Sequence, residues 1–305
     1  MSKLRLSVAI GDYDRMRPLI DGDVQIDAVD PQFMRLEPEE IFFRAFRHAD
    51  FDICELSMSS YSVKTAAGTS PYIAVPVFPS RAFRHTSIYV RTDRIRTPED
   101  LRGKRIGVPE YQLTANVWVR MILEEDYGIT PADVTLENVP AGTTISGLLA
   151  SGELDAVIGP RAPSCFRAGH PHVGYLFPDP RAAAAAWFER TRLFPIMHTL
   201  GIRRDVAEAH PWLPYAVVKA FEESKHLAML RLEDTSATKV TLPFVEERLA
   251  EARALMGPDF WSYGLEPNRE TLRRFLAQHH REGLSRRLLE PEELFHPASL
   301  ETHKI

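Results

Sequence analysis

Thr97-Pro98-Glu99-Asp100-Leu101-Arg102-Gly103-Lys104-Arg105-Ile106-Gly107-Val108-Pro109 holds a helix start and a strand within one short stretch. A threonine cap, a proline at the first helical position and an acid three residues after the cap form a capping box, which satisfies free N–H groups of a first turn. The apolar run at 105–108, bounded by glycine and proline, then reads as a short strand. Thr130-Pro131-Ala132-Asp133 repeats the start signal. Outward from this stretch, strand-like runs at 4–10, 24–29, 51–56, 73–78, 87–90, 105–108, 136–139, 156–158, 173–177 and 199–203 alternate with helical patterns. The first is clearest, with Leu4, Leu6, Val8 and Ile10 on one face. Strands alternating with helices predict an α/β fold with mainly parallel, mixed sheets. From Asp205 onward the pattern turns helical, with Trp212, Tyr215, Phe221, Leu227 and Leu230 spaced for one buried face.

The chain has 305 residues, which suggests two domains at roughly 150 residues each. With 44% hydrophobic and 26% charged residues it is too apolar for a disordered chain. A net charge of −5 argues against polyanion or anionic-membrane partners, so an anionic ligand needs a local cluster of cations. Residues 77–92 and 194–204 read as crossings between lobes, each placing a strand beside Pro or Gly and polar groups. That reading makes 87–202 an inserted second lobe. The first lobe comprises 1–86 and 203–305 with the helical tail, and the ligand is expected in the cleft between the two. The start lacks a secretory pattern and no run approaches the roughly 18 apolar residues of a membrane span, so a cytoplasmic location is expected. Cys54 and Cys165 read as small buried hydrophobes. The close histidine pairs, His170-Pro171-His172 and His279-His280, lack a helical HExxH pattern, and no GxGxxG, P-loop or G-x-S-x-G stands in the sequence. No metal and no nucleotide cofactor are therefore expected.

The opening stretch, together with Ser151-Gly152-Glu153-Leu154-Asp155-Ala156-Val157, resembles the second lobe of type 2 periplasmic-binding-protein folds. More specific motifs are Asp12-Tyr13-Asp14-Arg15, Phe51-Asp52-Ile53-Cys54-Glu55-Leu56-Ser57, Phe78-Pro79-Ser80-Arg81-Ala82-Phe83-Arg84-His85 and Gly107-Val108-Pro109-Glu110-Tyr111-Gln112-Leu113-Thr114-Ala115. Trp118-Val119-Arg120-Met121-Ile122-Leu123, Phe260-Trp261-Ser262-Tyr263-Gly264-Leu265 and Pro291-Glu292-Glu293-Leu294-Phe295 extend the likeness through the tail. By these the chain resembles the 4,5-dihydroxyphthalate decarboxylases over essentially its whole length. The resemblance implies cofactor-free release of CO2 from a dihydroxylated aromatic diacid, giving protocatechuate. Two alternatives stay open: a decarboxylase of another phthalate-like acid, and a non-catalytic binding protein for a small anionic aromatic ligand. The helical tail also leaves room for a homo-oligomer.

Such a reaction needs an acid to protonate the ring carbon that loses its carboxylate, a partner for the hydroxyl para to it, and an anchor for the second carboxylate. His85 and His198, one in each crossing, are the candidate acids, because histidine titrates near neutral pH. Either also reads as a structural histidine. Glu55, at the end of a strand, is the candidate partner of the ring hydroxyl, with Ser57, Asp12 and Asp14 as further polar contacts. Arg81 and Arg84 offer forks for a carboxylate, although an extended backbone sends them to opposite faces and puts His85 on the face of Arg81. Tyr111, Gln112 and Thr114 lie at a helix start, where free N–H groups favour an anion, with Thr114 as the cap. Arg161 follows a strand and faces either a carboxylate or Glu153 and Asp155.

Overall fold

The computed structural model describes residues 3–137 and 142–300. Its strands are β1 Leu4–Ile10, β2 Val29–Arg35, β3 Ile53–Ser57, β4 Tyr72–Val75 and β5 Ile88–Arg91. They continue as β6 Arg105–Gly107, β7 Thr135–Glu137, β8 Ala156–Ile158, β9 Val173–Tyr175 and β10 His198–Arg203. The chain divides into two compact units. One contains the residues up to Arg81 together with those from Ile196 onward, and the other is Ala82–Pro195. The border precedes residue 87 because Ala82 N–H donates to Pro195 O, and it precedes residue 203 because β10 is a strand of the first unit's sheet.

In the first unit the strand order is β2-β1-β3-β10-β4. β1 runs parallel to β2 and β3, while β10 runs antiparallel to β3 and β4. Four strands therefore point one way and β10 alone is reversed, which brings its first residue, His198, to the edge where the other four end. β3 in the middle is buried along its whole length, including Glu55. Helices Pro38–His48, Met58–Ala67, Leu213–Glu233 and Arg269–Arg281 belong to this unit. The first opens with Pro38, Glu39 and Glu40 and closes with Arg47 and His48, charges that complement the helix dipole at both ends.

The second unit repeats the design with the order β7-β6-β8-β5-β9 and β5 as the reversed strand. Strand alternation distributes its core to both faces of the sheet. Ile88, Val90, Ala156 and Ile158 pack in one cluster with Val119 and Leu123, while Tyr89 and Val157 pack in another with Leu149 and Leu154. This accounts for the nearly unbroken apolar runs in these strands. Both capping boxes form, at Thr97 and Thr130, but each opens a single 3-10 turn, Pro98–Leu101 and Pro131–Asp133, before the chain turns into β6 or β7.

Two sequence expectations are corrected. The strand expected at 24–29 is instead β2 at Val29–Arg35. Gly22 and Ala28 adopt positive φ and break the extended run, so buried Val24 and Ile26 precede the strand. Pro31 is tolerated because β2 is an edge strand. On Leu213–Glu233, Trp212 and Leu230 are exposed, and the buried stripe is Leu213, Val217, Ala220, Phe221, Ser224 and Ala228. That stripe mixes large residues with small ones, Ala220, Ser224 and Ala228. The last residues of the run expected at 136–139 lie outside the described residues. Among the described residues no helix is long and apolar enough to cross a membrane.

Gly201 sits on β10 between Cys54 of β3 and Ala74 of β4. A Cβ there would lie 2.3 Å from Leu56 Cδ1 and 3.2 Å from Tyr72 Cβ. Gly201→Ala is expected to destabilise the fold by about 1–3 kcal/mol, the usual cost of overpacking, measured as a lower denaturant midpoint with unchanged slope.

Candidate active site

The register of the central sheet builds the site. His198 lies directly opposite Ser57, and Leu200 opposite Glu55. Residues two apart on a strand share a face, so Ser57, Glu55 and His198 project to the same side, with Glu55 diagonal to His198. Glu55 is fully buried. Its Oε1 meets His198 Nδ1 at 2.5 Å and accepts from the Tyr13 hydroxyl at 2.8 Å. Its Oε2 accepts from Gly11 N–H at 3.0 Å. The middle strand's acid is thus reached by donors from both neighbouring strands, β10 and the exit of β1. Phe42 stands edge-on to the imidazole with ring centroids 4.8 Å apart.

Burial pushes the Glu55 carboxyl upward, but His198, Gly11 N–H and Tyr13 outweigh it and hold the group below the usual carboxylate range. An ionised carboxylate only accepts, so the proton between the pair sits on Nδ1. Nε2 is left for another partner, and among the described residues it has none. Burial, with Glu55 next to it, drives the Tyr13 phenol well above its ordinary value. Arg15 is stacked between two rings, its guanidinium carbon 4.3 Å from the centroids of both Tyr13 and Trp261. Its Nε donates to Pro79 O at 2.7 Å, and Trp261 Nε1 donates to Phe78 O at 3.0 Å.

The structure brings His198, Glu55 and Ser57 to one side of the central sheet. The Glu55 carboxylate is fully buried and meets Gly11 N–H, the Tyr13 hydroxyl and His198 Nδ1. Asp12 and Asp14 are half exposed. Asp12 pairs with Arg17 and Arg35, and Asp14 pairs with Arg15. Arg81 is buried, and its Nη2 donates to Ser262 O at 2.7 Å and to Asn268 Oδ1. Burial lowers its pKa to about 9, with Tyr263 and Asp259 opposing.

The other candidates belong to the second unit. Arg84 and His85 lie in a 3-10 turn, Arg84–Ser87, so the strand alternation expected there does not apply. Burial lowers Arg84 to about 10. His85 is buried against Phe177 and Trp187, with ring centroids 5.2 and 5.9 Å away, and its Nδ1 has no hydrogen-bond partner among the described residues. Burial alone lowers its pKa to about 4. The cap of helix Thr114–Tyr127 is Leu113, so Thr114 is its first helical residue, preceded by the turn at Tyr111 and Gln112. Arg161 is exposed, and Asp155 pairs with Arg94.

Sequence reasoning misses five groups. Gly11 and Tyr13 contact Glu55, and Arg15 and Trp261 complete the stack beside them. Tyr13 and Arg15 lay within a motif whose acids drew the attention. Arg120 is buried on helix Thr114–Tyr127, with its guanidinium 3.9 Å from the centroid of the Tyr111 ring. Its signal was available as a lone charge inside the run Val117-Trp118-Val119-Arg120-Met121-Ile122-Leu123. Cys54 is buried and its thiol is pushed upward by burial, whereas Cys165 is only partly buried. Among the described residues no group of three His, Cys, Asp or Glu is arranged to hold a metal ion.

These features define an α/β protein of the periplasmic-binding-protein type with a buried acid–histidine pair at the carboxyl edge of one sheet. The periplasmic aliphatic sulphonate binding protein of Escherichia coli shares the fold, with a TM-score of 0.61 at 14% identity over 100% of this chain and 96% of that one. Residues 82–164 match the family described as NMT1/THI5 like. A 4,5-dihydroxyphthalate decarboxylase of Comamonas testosteroni is 68% identical over an alignment of 330 residues covering 100% of both chains. One of Pseudomonas putida is 66% identical over 213 residues, covering 62% of this chain and 83% of that one. The chain belongs to the 4,5-dihydroxyphthalate decarboxylase family.

His85 has a pH consequence that follows from its burial. Its folded pKa of about 4 lies below the ordinary 6.5, so the unfolded chain takes up the proton first as pH falls. Stability from this residue is complete above about pH 6.5 and is lost between there and about pH 4, by up to about 3 kcal/mol. His85→Leu is expected to flatten that part of the stability–pH curve, measured by urea unfolding across the range.

Proposed function

We propose that this chain converts 4,5-dihydroxyphthalate to protocatechuate and CO2, with His198 as the acid that protonates the ring. The substrate assignment is carried by full-length identity of 68% to a relative named for that reaction. The assignment of His198 is supported by its bond to a buried carboxylate, with Nε2 left for a substrate.

The chemistry follows from the substrate. Each ring carbon bearing a carboxylate has a hydroxyl para to it. His198 in its imidazolium form delivers the Nε2 proton to one of these carbons while the para hydroxyl gives up its proton, and the ring becomes a neutral dienone. The bond to the carboxylate then breaks. CO2 leaves, the bonding pair returns to the ring, and the resulting phenolate regains a proton. The net change is one proton taken up and one CO2 released. Glu55 stabilises the imidazolium and fixes its tautomer, since Nδ1–H faces Oε1 and only Nε2 faces outward. Among the described residues His85 has no such partner, and its burial among aromatic rings keeps it neutral near pH 7.

The test is CO2 release and protocatechuate formation over a panel of hydroxylated aromatic acids, in buffer with chelator and without nucleotide. His198→Asn is expected to lower kcat by about 10²–10⁴-fold, the usual contribution of general acid catalysis, with a much smaller change in KM. Glu55→Gln should also lower kcat strongly, and His85→Leu far less. Tight binding of the diacid without turnover by the unaltered protein would support a binding protein instead.

A further inference from the structure

Tyr13 follows β1 through a tight turn in which its own N–H donates to Gly11 O at 3.1 Å. The turn folds the phenol ring back over Gly11 so closely that a Cβ at Gly11 would lie 2.6–2.8 Å from the ring and its hydroxyl. The Arg15 guanidinium also lies over the Tyr13 ring, and it lies over Trp261 as well. Held in this way, the hydroxyl donates to Oε1 of Glu55, the same oxygen that meets His198 Nδ1.

We propose that Tyr13 is a positioning residue for His198: by donating to the shared Glu55 oxygen it limits how strongly the carboxylate holds the imidazole proton. This rests on the reading of His198 as the ring-protonating acid. A carboxylate whose charge is drawn toward a phenol is a weaker base toward its second partner. Without the phenol, Glu55 attracts the His198 proton more strongly, so the imidazolium persists to higher pH and gives its proton to carbon less readily. The charged and titratable groups facing the cluster are Arg15 and Glu37 toward Tyr13, and His198, Cys54 and Tyr263 toward Glu55. All of them are retained when only the hydroxyl is removed.

The test uses the full chain with ¹⁵N-labelled histidine, the His198 signals being assigned by their loss in His198→Asn. Tyr13→Phe is expected to raise the His198 titration by about one pH unit, the scale of a hydrogen bond to a charged group. The pH profile of kcat/KM should move the same way, with kcat lowered about tenfold, equivalent to one such bond, and KM little changed. A fluorinated tyrosine at position 13, a stronger donor of nearly the same size, is expected to lower the titration. Should Tyr13→Phe not fold, the sign of the fluorotyrosine shift decides alone. An unmoved His198 titration, or shifts of the same sign in both variants, would overturn the proposal. The titration requires no turnover, so a chain that releases no CO2 fails the decarboxylase reading while the role of Tyr13 is still measured.

Discussion

The buried carboxylate of Glu55 constrains everything around it. An ion of this kind out of water costs several kcal/mol unless donors surround it. Here the donors come from three separately placed pieces of chain: the exit of β1, the turn that follows it, and the first residue of β10. The geometry of each piece is therefore tied to the others. A one-residue slip of β10 would send His198 to the opposite face and leave the carboxylate short of a donor. The same requirement that fixes the register fixes the imidazole, so the stability of the sheet and the alignment of the site are one problem.

The two candidate histidines show how surroundings separate identical side chains. His85 meets aromatic rings and, among the described residues, no carboxylate, and burial alone acts on it. His198 meets an anion on one nitrogen and keeps the other available. Neither difference depends on which residues stand next to them in sequence. It depends on which strands and helices arrive from elsewhere.

That distinction marks what could be read in advance. Strand and helix alternation and both capping boxes were legible, because they rest on local spacing and on bonds within a few residues. Glu55 and Ser57 could be placed on one face from the period of two. Their meeting with His198 could not, because it needs the pairing of β3 with β10 across the whole inserted unit. The surroundings of Arg81 are likewise not local, because the groups it bonds, Ser262 and Asn268, come from a segment far along the chain. On the long helix only part of the expected face is buried: Phe221 is, while Trp212 and Leu230 are exposed, and small residues such as Ala220, Ser224 and Ala228 fill the rest of the stripe.

The position of β10 in the chain also sets an order of events during synthesis. β4 joins its sheet only through β10, and β3 has β10 as its second neighbour. Until residues beyond Ile196 emerge, β4 lacks a sheet partner, β3 is an edge, and Glu55 lacks its imidazole. The second unit, made of contiguous residues, carries no such debt and has its full set of strands sooner. In chain order, therefore, the whole second unit comes before the strand that gives Glu55 its imidazole.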